Sequence, residues 1–153
     1  MAQRRIALVD LKQQHQTIWP EIEKALRQVI ESSQFILGDA VTRFEEHFAA
    51  YCGVPYAIGV DSGTSALELI LRAFDIGPGD QVITAANTFI ATVLAIAYTG
   101  AQPVLVDVDP ETMNLDPMQL ERAISPRTRA ILPVHLYGQP AEMDAIAEIA
   151  ERH

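Results

Sequence analysis

The stretch Asp61-Ser62-Gly63-Thr64-Ser65 has the residue types that anion chemistry needs, placed directly before a helical pattern. Gly63 lets the backbone approach a ligand closely, and hydroxyls stand on both sides of it. A helix start adds unpaired N–H groups and positive potential, and the combination suits a phosphate. The same residues also satisfy a plainer requirement, because Ser65-Ala66-Leu67-Glu68 has the spacing of a capping box. The local pattern does not choose between the two. It is neither the G-x-G-x-x-G dinucleotide fingerprint nor a Walker A loop, which would end in Gly-Lys-Ser/Thr. The missing fingerprint disfavours an NAD-binding domain.

Two later turns hold further candidates. Asn87-Thr88-Phe89 follows an apolar run; Asn87 is placed to cap the next helix, and Phe89 falls in its first turn. An aromatic there could stack on a flat ring or simply fill the core. His135-Leu136-Tyr137-Gly138-Gln139 follows another apolar run, with His135 available to a ligand or to neighbouring backbone groups.

The elements that must position these turns alternate. Tyr56 to Val60, Gln81 to Ala85, Pro103 to Asp107 and Arg129 to Val134 read as short buried strands. Between them lie helical patterns carrying Leu67, Ile70, Leu71 and Phe74, then Ile90, Val93, Leu94, Ala97 and Tyr98, then Pro117 to Ile124. A last helix opens at Pro140. Strand–helix alternation predicts a parallel α/β sheet, whose ligands bind beyond the carboxyl ends of the strands. The front of the chain is helical instead. Pro20 is expected at a helix start, with Ile22, Leu26, Val29 and Ile30 on one face. Ser32 to Gly38 interrupts with an apolar patch, and Asp39 is expected to cap a helix striped by Val41, Phe44, Phe48 and Tyr51. The expected organisation is a helical segment, 1–53, followed by the α/β part, 54–153.

Net charge is −9, and from Phe44 to Glu121 there are eleven acidic residues against one basic, Arg72. Such a surface repels nucleic-acid backbones and anionic lipid, so neither is an expected partner. Cys52 is the only cysteine, which excludes an internal disulfide, and it is expected to be buried. No apolar run approaches the roughly 18 residues of a spanning helix, and no leader pattern follows Arg4 and Arg5, so the cytoplasm is the expected location.

Taken in order, six segments resemble one family. They are Val9-Asp10-Leu11-Lys12, Gln34-Phe35-Ile36-Leu37-Gly38, Ser62-Gly63-Thr64, Gly77-Pro78-Gly79-Asp80-Gln81-Val82-Ile83-Thr84, Asn87-Thr88-Phe89 and Pro133-Val134-His135-Leu136-Tyr137-Gly138-Gln139-Pro140. Their order and spacing, from about Ile6 to His153, resemble the DegT/DnrJ/EryC1/StrS aminotransferases. The resemblance implies the N-terminal part of a fold type I (aspartate-aminotransferase-like) large domain, three-layer α/β/α with an incomplete sheet. It implies pyridoxal 5'-phosphate as cofactor, a nucleotide-linked keto-sugar as substrate, an amino-acid donor, usually glutamate, and a homodimer. By the same resemblance Gly63, Thr64 and Ser65 hold the cofactor phosphate, Phe89 stacks on the pyridine ring, and Phe35, Ile36, Leu37 and Gly38 line the sugar-nucleotide site at the dimer interface. Asp61 stands where many relatives have Asn, and a carboxylate there opposes phosphate binding unless it points away.

The family also uses an aspartate on the pyridine nitrogen and a Schiff-base lysine, and the resemblance places both beyond His153. The only lysines are Lys12 and Lys24. The expectation is therefore a chain that is truncated and inactive alone, and poorly soluble or molten, with Tyr56 to Val60 lacking its partner strand. The alternative is a non-catalytic regulator or pseudoenzyme of the same family.

Overall fold

The computed structural model describes residues 8–153, and Ile6, where the resemblance begins, lies outside them. The chain divides into two compact units, Met1–Gly59 and Val60–His153.

In the first unit, Asp10 caps helix α1, Leu11–Ser32, accepting a hydrogen bond from the Gln13 amide at 3.1 Å. This cap overrides the expected start: Pro20 sits inside the helix, where it removes one N–H from the ladder. Helix α2, Asp39–Cys52, follows. Its N-cap is Gly38, so Asp39 is the first helical residue, its amide donating to Gln34 Oε1 at 3.2 Å. Gly53 ends the helix in the left-handed region at φ 68°. Cys52 is exposed, against expectation, because the α2 stripe finds little cover: Phe44, Phe48 and Tyr51 also stay exposed and pack on one another along the helix.

The expected strand Tyr56 to Val60 does not form. A strand exists only by pairing, and among the described residues this segment pairs with none of the three strands. Tyr56 and Ile58 remain exposed, and the Gly59 amide donates to Glu45 Oε1 at 2.7 Å instead of to a ladder.

The second unit is a three-layer sandwich. Its sheet comprises β1 (Gln81–Ala85), β2 (Gln102–Val106) and β3 (Thr128–Leu132), all parallel, in the order β2-β1-β3. Central β1 is buried along its whole length. Its alternate residues serve opposite faces, as a strand's period of two requires. Val82 packs with Leu71, Ile76, Ile96 and Ala101, beneath helices α3 (Gly63–Ala73) and α4 (Ile90–Tyr98). Ile83 and Ala85 pack with Leu115, Leu120, Ile146 and Ile149, beneath α5 (Pro117–Ala123) and α6 (Met143–Arg152). The last helix therefore begins at Met143, not Pro140.

Two carboxylates, Asp109 in a turn and Glu121 on α5, tighten this unit. Asp109 lies below the ordinary carboxyl pKa because its charge is held by the backbone amides of Thr112 and Glu111, at 2.9 and 2.8 Å. Glu121 is lowered by its hydrogen bond to Arg152 at 2.7 Å and by that residue's charge. A depressed folded-state pKa gives stability that is present above the unfolded value and lost as pH falls through the folded one. Asp109→Asn is thus expected to lower the denaturant midpoint near neutrality, with the gap from wild type closing below about pH 4. Parallel urea titrations across that range check it.

Candidate functional site

Three chain turns meet at one end of the sheet. The four residues after β1 lead directly into α4, so the N-terminus of α4 lies at the carboxyl end of β1. Helices α3 and α4 pack together, and the Arg72 guanidinium donates to the Tyr98 carbonyl at 2.7 Å, joining their C-terminal ends. The two helices therefore run parallel, and the N-terminus of α3 reaches the same end as that of α4. The turn after β3 joins them, since β1 and β3 are hydrogen-bonded neighbours with Thr84 opposite Leu132. The structure thus brings Gly63, Thr64, Ser65 and Phe89 to one end of the sheet. Phe35 to Gly38 belong to the other unit.

At the start of α3, Ser62 is the N-cap: its Oγ accepts from the Ser65 amide at 3.1 Å and lies 3.0 Å from Ser65 Oγ. The capping box expected at Ser65–Glu68 is displaced by this cap one turn earlier, and Glu68 pairs with Arg72 instead. Capping and anion binding consequently do not compete here. The Gly63 and Thr64 amides, being first in the helix, have no intrahelical acceptor, and the first turn carries no acidic side chain. A Cβ added at Gly63 would meet nothing within 4 Å, so the approach to these amides is open. Free amides, the half-buried Thr64 and Ser65 hydroxyls and the positive helix end fit a phosphate monoester. Asp61 is exposed.

Phe89 is the N-cap of α4 rather than a first-turn residue, and 75% exposed. Asn87 makes no cap; the end of the helix is tied instead by Thr88 and Thr92, whose hydroxyls lie 2.9 Å apart. An aromatic ring left open at the same end of the sheet as these amides is available to a planar ligand. His135 takes the plainer of its two roles, its Nδ1 accepting from the Ala141 amide at 3.0 Å.

In the first unit, Phe35, Ile36 and Leu37 are all strongly exposed. Gly38 is required there by close approach: a Cβ would come within 2.7 Å of both the Cβ and the carbonyl oxygen of Gln34. Asn114, which sequence reasoning passed over, is a polar side chain buried to 2% exposure, bonded to the segment that follows β3. An asparagine between Met113 and Leu115, shortly before the helical pattern at Pro117, was its only signal.

The model of the DegT/DnrJ/EryC1/StrS aminotransferase family matches residues 16–153. The chain belongs to this family. It is 50% identical to a pleiotropic regulatory protein of Geobacillus stearothermophilus, over 97% of this chain and 40% of that protein. It is 48% identical to dTDP-3-amino-3,4,6-trideoxy-alpha-D-glucose transaminase of Streptomyces venezuelae, over 97% of this chain and 39% of that one. Among solved structures, S. venezuelae DesV in complex with a ketimine intermediate superposes with a TM-score of 0.95 at 48% identity, covering 99% of this chain and 41% of that one. The fold is that of part of a fold type I domain, as the resemblance implies. The chain spans about two fifths of the length of the curated relatives it matches.

Proposed function

We propose that this chain carries the phosphate- and ring-binding front part of a pyridoxal 5'-phosphate-dependent aminotransferase. The reaction is transfer of an amino group, from glutamate as donor, to a nucleotide-linked keto-sugar. The observation that carries this reading is the open, hydroxyl-lined N-terminus of α3 in a chain of shown family membership. A bound pyridoxal ring supplies the electron sink and amine carrier that such a transfer needs.

The residues here bind and orient. The Gly63 and Thr64 amides and the Thr64 and Ser65 hydroxyls take the phosphate oxygens, and the helix end offsets their charge. Phe89 covers one face of the ring, fixing its plane relative to the sheet. Phe35 to Gly38 provide an exposed apolar surface for the sugar nucleotide or a second subunit. Neither lysine of this chain, Lys12 or Lys24, stands in the Val60–His153 unit.

The test uses the product of the complete reading frame. Titrated with pyridoxal 5'-phosphate, it is expected to develop the visible absorbance of a cofactor held through a lysine amine, which glutamate then bleaches. A protein that shows no such band at saturating cofactor ends this reading. A regulatory role is favoured by the pleiotropic regulatory protein among the relatives. Cofactor binding with no response to glutamate or any other amino acid would favour that role.

A further inference from the structure

The segment leaving β3 is held in an unusual shape. Tyr137 and Gly138 both lie in the left-handed region, at φ 54° and 83°. Glycine adopts this freely, but tyrosine does so only where its surroundings dictate it. Tyr137 is also 94% exposed, so burial of its ring does not hold it there.

The dictating group is Asn114. Its side-chain nitrogen donates to the carbonyl oxygens of Gln139, at 3.0 Å, and Pro140, at 3.1 Å, while its Oδ1 accepts from the Leu136 amide at 3.1 Å. Both donor hydrogens and one acceptor site are therefore spent on a single short segment, from both sides of Tyr137. The His135 bond to the Ala141 amide closes the same segment from outside. A buried amide with three partners on one loop makes that loop's shape a unit, since losing any bond leaves a buried polar group unpaired. Because β3 lies beside β1, this loop emerges next to the turn that carries Phe89.

We propose that Asn114 is a positioning residue for the ligand site. By clamping residues 136–140 it holds Tyr137 at the carboxyl end of the sheet as a preset aromatic wall for the flat ring of the ligand. The inference rests on the cofactor reading above. Fixing beforehand the backbone that carries the ring spares the ligand part of the cost of ordering it.

The test uses the complete reading-frame product with pyridoxal 5'-phosphate as probe and inorganic phosphate as competitor. Tyr137→Ala and Asn114→Ala are each expected to weaken cofactor affinity by about threefold to tenfold and to shift the bound absorbance maximum. The double variant is expected to be no weaker than the worse single one, because the two residues act in series. Competition by inorganic phosphate is expected to stay unchanged, which a general loss of structure would not allow. Asn114→Asp, of the same shape but with an acceptor facing two carbonyls, covers the case in which the alanine variant fails to fold. Tyr137→Ala, at an exposed position, retains the fold in any case. Unchanged affinity and absorbance in Tyr137→Ala, or effects that simply add in the double variant, overturn the proposal. Wild-type protein that binds no pyridoxal 5'-phosphate overturns the functional reading as well; variants indistinguishable from a wild type that does bind overturn this inference alone.

Discussion

Replacing Thr64 with Val and Ser65 with Ala together is expected to weaken pyridoxal 5'-phosphate binding by roughly 100-fold, with the fold intact. Each hydroxyl offers a phosphate oxygen a charge-assisted hydrogen bond, and such bonds contribute about 1.5–3 kcal/mol apiece. Water replaces part of each loss, which keeps the total well below the simple sum. The helix survives because its cap is elsewhere: the Ser65 amide donates to Ser62 Oγ, and neither substitution touches that bond. The measurement is a pair of titrations, one with the phosphorylated cofactor and one with pyridoxal, which lacks the phosphate. Only the first is expected to change. Equal weakening of both would mean that the hydroxyls shape the pocket generally and that the anion is held by other groups.

Ile83→Ala is expected to bring the largest loss of stability, about 2–5 kcal/mol. Ile83 is wholly buried at the middle of the central strand, and its side chain meets Leu120, Ile146 and Ile149 from the α5 and α6 layer. Truncation removes three carbons and leaves a cavity that a paired strand cannot close by shifting, since β1 is hydrogen-bonded on both sides. Ile83→Val, which removes one carbon, is expected to cost about 0.5–1.5 kcal/mol. Urea midpoints at constant m-value measure both. Similar costs for the two variants would mean that the core relaxes around the gap.

The sheet strands were legible because each is a short apolar run bounded by Gly, Pro or Asp, as in Gly77 to Ala85. The helix faces were less so. In Ile90–Tyr98 nearly every residue is apolar, so periodicity cannot select a side; the structure buries Thr92, Ala95 and Ile96 and leaves Ile90 and Tyr98 exposed. Similarly, Leu71 is buried on α3, whereas Ile70 and Phe74, expected on its stripe, are exposed. Tyr56 to Val60 has a strand's composition, but pairing is a property of the neighbour as much as of the segment. Around the site, Gly63 to Ser65 and Phe89 were visible because special backbone and aromatic residues fall at turns. Asn114 was hidden because its three partners lie 22 to 26 positions away and are backbone groups, which any residue type provides.

The strand order β2-β1-β3 sets a timetable for a nascent chain. Gln81 and Gln102 are 21 positions apart and join two edges, whereas Val82 must wait for Ala130, 48 positions on. Closing the longer loop costs only about 0.7 kcal/mol more entropy, but synthesis at roughly 5–20 residues per second delays it by seconds. Until then the central strand has one flank open.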